Sequence, residues 1–372
     1  MRVCIVATEF LGVGATGGIG VGARVLGRHL AARGIEVRAI IPRRQPGVPS
    51  SASFEGISVR TYNRSDLLAF TREIRAADAD VYHHVQASLG ACIAQSAMAN
   101  RAHVIECVDP RDWSDWFIDF RLPTQTAARL IPSFVYFGTW PAKLSARRAD
   151  AVQVPARFLQ AKVHRLYGLC ATPQVVPMPF DVSSTGQKSP SPLVVFVGRL
   201  VRRKRPELVI DLARRFPAVR FVIIGGGGGS TYASALRRQA AGLANLTFTD
   251  FIDQTVDSRL FDSLSAAWIL INNAAREGLP LTFVEAAAHG CAILSASDPD
   301  GYASNFGYHV TDGDFVRGMD GLLANENWRL AGKRGQLHVA REHVSADAIK
   351  IQLSVYDKAL ARVATRTAPS VI

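Results

Sequence analysis

Ser183-Ser184-Thr185-Gly186-Gln187-Lys188-Ser189-Pro190-Ser191-Pro192, followed at once by Leu193-Val194-Val195-Phe196-Val197, divides the chain near its middle. The Ser/Pro/Gly run has too little apolar surface to build an element of its own, so it reads as a linker. The five apolar residues after it read as a buried strand. Beyond that strand a rhythm restarts. Helices are predicted over 207–215, 231–241, 258–265 and 281–289, strands over 219–224, 246–248, 268–271 and 292–295, and a glycine run over 225–229. Strands separated by helices imply a parallel sheet covered on both faces.

The same alternation precedes the linker. Val3-Cys4-Ile5-Val6-Ala7 is a short strand feeding a glycine-rich stretch from Gly12 to Gly22. Val25, Leu26 and Leu30 fall at helical spacing, and Gly34 sits where a left-handed cap belongs, which predicts a helix over 23–33. Strands over 37–41, 57–62, 80–84 and 103–108 alternate with helices over 67–77 and 89–99. A last helical stretch over 346–363 is expected to pack back on the first domain. The domains expected are therefore 1–182, 193–345 and a C-terminal helix over 346–372.

Length and composition agree with two globular domains: 372 residues, 48% apolar and 20% charged are too hydrophobic for a disordered chain. The net charge of +12 points to a polyanionic partner. Five cysteines without a C-x-x-C pair encode neither a disulfide framework nor a zinc site, which fits a reducing compartment. Met1-Arg2 leads straight into a strand, and nowhere do about 18 consecutive apolar residues occur. A cytoplasmic chain without a signal peptide or a membrane span is expected.

Two short stretches carry chemistry. Glu277-Gly278-Leu279-Pro280-Leu281-Thr282-Phe283-Val284-Glu285 sets two carboxylates astride a helix start, with Pro280 suited to its first position and Gly290 to its cap. The N–H groups near Leu281 and Thr282, with the positive end of the helix dipole, suit an anion, and Glu285 suits ligand hydroxyls. Gly198-Arg199-Leu200-Val201-Arg202-Arg203-Lys204-Arg205-Pro206 follows the first strand of this half. Arg199 and Lys204 suit a polyphosphate, while Arg202, Arg203 and Arg205 read better as a solvated basic loop.

Gly198-Arg199-Leu200 with Lys204, then Ile223-Ile224-Gly225-Gly226-Gly227, then Glu277-x7-Glu285 with Ala286-Ala287-Ala288-His289-Gly290 resemble the C-terminal half of family 4 glycosyltransferases of the GT-B fold. Gly17-Gly18-Ile19-Gly20, Asp80-Val81-Tyr82-His83 and Ala149-Asp150-Ala151-Val152 with Gln174-Val175-Val176-Pro177 are similar to its N-terminal landmarks. The resemblance implies two Rossmann-like α/β domains with a cleft between them. It implies retaining transfer from a nucleotide-diphosphate sugar to a glycan or lipid-linked acceptor bound by the first domain. Arg199 and Lys204 would hold the diphosphate, Glu285 the ribose and Glu277 the transferred sugar. Backbone N–H groups of Gly278, Leu279, Leu281 and Thr282 would serve sugar and phosphate. Gly198 and Gly226 would flank the donor, Ile252 would lie beside the base, and Gly17 and Gly18 would approach from the first domain. Neither metal nor cofactor is implied, so Asp298-Pro299-Asp300 and Asp312-Gly313-Asp314 read as turns.

One position departs from the family pattern: Val108 stands where many members carry a histidine before Asp109. Asp109, Arg111 or Asp112 would replace that contact, with His83 and His84 as further candidates, or the chain would be a sugar-nucleotide-binding pseudoenzyme. Gly12-Val13-Gly14-Ala15-Thr16-Gly17 spells a dinucleotide fingerprint, and Arg43 and Arg44 suit a 2′-phosphate, which keeps an NADP-dependent oxidoreductase in view. No nucleic-acid reader motif stands out. Trp113, Trp116, Phe117, Phe120, Phe134, Tyr136, Phe137 and Trp140 precede Lys143, Arg147 and Arg148; such a segment reads either as core with a basic tail or as an anionic-membrane interface of a peripheral protein.

Overall fold

Two sheets organise the molecule, a computed structural model that describes residues 1–14, 17–43, 47–124, 126–181, 186–227, 230–253 and 257–367. Ser183, Thr185 and the residues between them, Arg44, Ala15, Thr16, Gly228 and Gly229, all used in the sequence reading, lie outside the described residues. The chain divides into two units, 1–112 with 128–179 and 344–372, and 113–127 with 180–343. The segment 113–127, expected with the N-terminal half, thus groups with the second unit.

In the first unit the strands are β1 (Arg2–Val6), β2 (Glu36–Arg43), β3 (Ser51–Phe54), β4 (Ile57–Asn63), β5 (Val81–His84), β6 (Ala102–Glu106), β7 (Ala151–Val154) and β8 (Gln174–Val175). They lie in the order β3-β4-β2-β1-β5-β6-β7-β8. Every pairing is parallel except β3 with β4, a short edge hairpin that the alternation did not predict. Helices α1 (Gly18–Ala31), α2 (Leu67–Ala77) and α3 (Leu89–Ala97) occupy the crossovers.

Helix α1 starts five residues before its predicted start. Glycines at 18, 20 and 22 have poor helix propensity, but Gly20 and Gly27 are buried, and a Cβ on Gly27 would lie 2.7 Å from Ile57 Cδ1. Close packing on β4 overrides propensity there. Further along, α4 (Trp113–Arg121) belongs to the second unit, while α5 (Ala127–Gly138), α6 (Trp140–Arg148) and α7 (Phe158–Tyr167) precede the linker.

The second unit's strands, β9 (Leu193–Val197), β10 (Arg220–Ile224), β11 (Leu246–Thr249), β12 (Ile269–Asn272), β13 (Ala292–Ser295) and β14 (Gly307–His309), run parallel in the order β11-β10-β9-β12-β13-β14. That is the doubly wound order, in which strand direction of winding reverses between β9 and β12. Around the sheet pack α8 (Glu207–Arg215), α9 (Thr231–Gln239), α10 (Arg259–Ala266), α11 (Leu281–Ala288), α12 (Tyr302–Phe306), α13 (Phe315–Leu323) and α14 (Asn327–Glu342). Residues 302–342 were not assigned from sequence. Their short strand and helices alternate too closely for a clear period.

The last helix, α15 (Ser345–Thr367), groups with the first unit. Ile349, Val355, Tyr356 and Ala359 join the apolar core formed with β1, β2 and β6. Gln352 and Gln153 exchange side-chain hydrogen bonds of 2.7 and 3.0 Å in the buried interior. No helix among the described residues is long and apolar enough to cross a membrane.

Candidate functional site

In open α/β sheets, ligands settle outside the carboxyl ends of the strands where the winding reverses. In the second unit those ends belong to β9 and β12, and the two chemically marked stretches follow directly from them. After β9 the chain passes Gly198 and Arg199 into a tight turn over Arg202–Lys204. After β12 it passes Asn272 to Glu277 into α11.

Close backbone packing shapes the first loop. Gly225 has φ +150°, and a Cβ on it would lie 1.9 Å from the carbonyl oxygen of Gly198. Only glycine fits there. Gly198 N–H donates to the Ile224 carbonyl at 2.9 Å and Leu200 N–H to that of Gly226 at 3.2 Å, so the glycine run and the Gly198 loop are laced together. Gly226 lies against Phe251, and Ile252 is buried in an apolar cluster with Ile224 and Leu260.

The two loops then meet. Lys204 Nζ donates to Glu277 Oε1, which also accepts from Asn272 Nδ2 at 3.2 Å. Ala275 N–H donates to the Arg203 carbonyl at 2.8 Å, and Asn273 Nδ2 to that of Arg205 at 2.9 Å. Arg199 is exposed at the end of β9. Glu277, Gly278, Leu279, Leu281 and Thr282 are half-buried around the start of α11, whereas Glu285, one turn on, is only 3% exposed.

Pro280, expected as the first helical residue, is instead the N-cap. It offers no side chain to the first N–H groups of α11. The helix therefore begins with its positive end uncapped by its own N-cap residue, four residues after the Glu277 that accepts from Lys204. At the other end His289 Nδ1 and Ser265 Oγ lie 2.9 Å apart. Burial, helped by the Lys188 charge, lowers the imidazole to about 4, so His289 is neutral at neutral pH.

Arg203 corrects the sequence reading. Rather than a solvated loop cation it is 8% exposed, with Nη1 3.6 Å from Asp119 Oδ1. Arg276 Nη2 lies 3.3 Å from the other oxygen of the same carboxylate. Arg202 and Arg205 are exposed, with Arg202 5.3 Å above the Tyr232 ring. Neither Asp119 nor Asn272 was singled out from sequence. An asparagine pair, Asn272-Asn273, closing an apolar strand was a legible signal for the latter; Asp119 offered none.

The first unit holds the remaining predicted residues. Gly17 caps α1, and its N–H donates to Glu9 Oε2 at 2.7 Å, so a carboxylate of the chain itself sits at that helix start, with Gly18 following. The glycines of the dinucleotide-like motif therefore end at the cap instead of opening the helix within them. Asp109 is tied to Arg111 at 3.0 Å, and its backbone exchanges hydrogen bonds with Gln86. Val108 packs against the core. His83 is fully buried between Glu106, at 3.2 Å, and Tyr356 Oη, at 3.0 Å. His84 meets His103 at 3.1 Å, and burial holds it well below the usual histidine range. Both histidines are parts of the interior.

The two acidic pairs read as turns occupy turns. Asp298 Oδ1 accepts from Ala303 and Ser304 N–H, and Asp314 caps α13. The aromatic segment splits by burial. Trp116 is buried, while Trp113, Phe117, Phe120 and Trp140 are exposed.

Two family models match end to end. A model described as "Glycosyl transferase 4-like domain" matches residues 17–179, and one described as "Glycosyl transferases group 1" matches residues 178–328. The chain belongs to the glycosyltransferases of family 4 type. The D-inositol 3-phosphate glycosyltransferase of Mycobacteroides abscessus is 32% identical to this family member over 114 residues, 30% of this chain and 26% of that protein. The enzyme of the same description from Mycobacterium leprae is 33% identical over 107 residues. These matches span about a quarter of the length of those relatives.

Among solved structures, the family member resembles sucrose-phosphate synthase from Thermosynechococcus elongatus, with TM-score 0.74 and 17% identity over 97% of this chain and 99% of the other. It also resembles Anabaena HepE, solved in complex with UDP-glucose, with TM-score 0.69 and 16% identity over 96% and 98% of the two chains. The fold of this family member is accordingly GT-B.

Proposed function

We propose that this chain transfers a sugar from a nucleotide-diphosphate sugar to a glycan or lipid-linked acceptor with retention of configuration, working as a peripheral protein on the cytoplasmic side of a membrane. The observation that carries the donor assignment is the Lys204–Glu277 pair at the uncapped start of α11, with Glu285 buried one turn on. In this reading the donor diphosphate takes the Lys204 ammonium from Glu277, and Arg199 swings onto the same phosphates. Glu277, released, turns to the hydroxyls of the sugar. Glu285 accepts from the ribose, and the Leu281 and Thr282 N–H groups from α11 complete the anion site. Preorganised cations and a helix dipole stabilise the leaving diphosphate, so the reading assigns no metal or cofactor a role. HepE, a neighbour in fold, was solved with UDP-glucose, which makes that compound the first probe.

The acceptor is assigned to the first unit, with Gly17, Gly18 and Asp109 on the reacting side. Support for a membrane-borne acceptor comes from α5 and α6. Ile131, Val135 and Trp140 are 59%, 48% and 65% exposed. Between Phe120 and Ala149 the sequence holds Arg121, Arg129, Lys143, Arg147 and Arg148 and no acidic residue. Exposed apolar groups among unbalanced cations suit an anionic bilayer surface.

The test is release of nucleoside diphosphate from a panel of nucleotide sugars with candidate acceptors, read with the anomeric configuration of the product by NMR. Product of retained configuration is expected; inverted product overturns the mechanism. Val108, packed where the family's usual imidazole would stand, favours a second reading, a sugar-nucleotide-binding pseudoenzyme. Donor binding without turnover over the whole panel selects that one.

A further inference from the structure

Two loops must be held together for Lys204 to face Glu277, and each carries a buried arginine just before its functional residue. Arg203 precedes Lys204, and Arg276 precedes Glu277. Side chains of these arginines are 10% and 5% exposed. Two guanidinium groups drawn out of water toward one another repel unless an anion lies between them. Asp119 supplies such an anion. It is 5% exposed, one of its oxygens faces Arg203 Nη1 at 3.6 Å, and the other faces Arg276 Nη2 at 3.3 Å.

Asp119 lies on α4, far from both loops in sequence, 157 residues from Arg276. The helix is oriented unlike an ordinary surface helix. It buries Asp115, Trp116 and Asp119 and leaves Trp113, Phe117 and Phe120 exposed. Its polar side is thus turned inward onto the arginines.

We propose that Asp119 is a positioning residue for the donor site, clamping the loop after β9 to the loop after β12 so that Lys204 and Glu277 are held at the start of α11. The proposal rests on the donor-site reading given above. Asp119 touches neither donor nor reacting atoms; it acts through the two arginines and the residues that follow them. Hydrogen bonds between the loops, Ala275 N–H to the Arg203 carbonyl and Asn273 Nδ2 to the Arg205 carbonyl, set their approach. The carboxylate fixes the side-chain layer beneath.

The experiment is a double-mutant cycle read by calorimetric binding of whichever of UDP, GDP, ADP, CDP or dTDP the full-length wild type binds most tightly. Asp119→Asn keeps the shape and removes the charge, and it is expected to weaken binding about tenfold, with Asp119→Glu recovering part of the loss. In a Lys204→Ala background, Asp119→Asn is expected to change binding less than twofold, because the residue it positions is already gone. A merely structural role would instead weaken binding by the same factor in both backgrounds. That additive result, or Asp119→Asn binding within twofold of wild type while Lys204→Ala is impaired, overturns the clamp. If Asp119→Asn does not fold, Arg203→Met runs the same cycle. It retains the Asp119–Arg276 pair while severing the other loop, and the same two outcomes decide. Failure of the underlying reading looks different: no diphosphate binds the wild type, or Lys204→Ala binds as well as wild type.

Discussion

The two sheets share a winding order around their central strands, yet the helix that starts beside each is treated in opposite ways. In the first unit Glu9 reaches across to the cap of α1 and takes the Gly17 N–H. In the second, α11 begins behind a proline that offers no side-chain acceptor, four residues after the Glu277 that accepts from Lys204. A helix start already holding a carboxylate is poorly suited to a further anion, whereas one whose N-cap gives no side-chain acceptor is suited to it. The comparison supports the proposed reading, in which the diphosphate sits in the second unit and the acceptor in the first.

The largest expected effect separates these two helix starts directly. Lys204→Ala should lower kcat/KM for the nucleotide sugar by about a hundredfold or more, a loss in the range that follows removal of one preorganised charge. Glu9→Gln should change it by less than tenfold in steady-state assays. Equal losses would break the contrast. Glu285→Ala should raise the donor KM about tenfold or more with a smaller change in kcat; an unchanged KM would remove Glu285 from the ribose.

Stability changes sharpen the same comparison. Gly225→Ala forces a Cβ to within 1.9 Å of the Gly198 carbonyl oxygen and should cost about 2–4 kcal/mol in chemical denaturation, mainly in the second unit. Gly34→Ala, also at positive φ but with open space around its Cβ position, should cost about 1 kcal/mol. A Gly225→Ala cost no larger than that of Gly34→Ala would show that the glycine run is not packed against the Gly198 loop.

Acid should act through buried imidazoles. His289, lowered to about 4 in the folded chain, takes up a proton near 6.5 when unfolded. The unfolded state therefore binds more protons between those values, so stability is full above about pH 6.5 and falls as the pH drops toward 4. The contribution is of the order of 3 kcal/mol. His289→Gln should flatten that slope for the second unit. His84 gives the first unit an acid sensitivity of the same sign, for the same reason of burial. Unfolding curves of the His289→Gln variant that follow the wild-type pH slope would rule His289 out as its source.

Local features and the return of the C-terminal helix were legible in the sequence, and distant side-chain pairings were not. Short apolar strands between helical stretches announced both sheets, and β13 and α2 fall on their predicted residues. The Gly198 loop and the Glu277–Glu285 stretch were legible because their chemistry lies within a few residues of a strand end. Helix α1 was read short, since glycine propensity conceals a helix that is fixed by packing on Ile57. Arg203 and Asp119 were hidden for a stronger reason. A basic run looks solvated until a distant carboxylate is folded onto it, and sequence spacing holds no trace of that pairing. His83 and His84 were open to a catalytic reading until the fold buried them against Glu106, Tyr356 and His103.

The central claim is that the diphosphate of a sugar nucleotide sits between Lys204 and the start of α11. Isothermal titration of the wild type and of Lys204→Ala with UDP, GDP, ADP, CDP and dTDP tests it most directly. One nucleoside diphosphate should bind the wild type and bind Lys204→Ala at least tenfold more weakly. Equal affinity for the two proteins, or no binding of any of the five to the wild type, would contradict it.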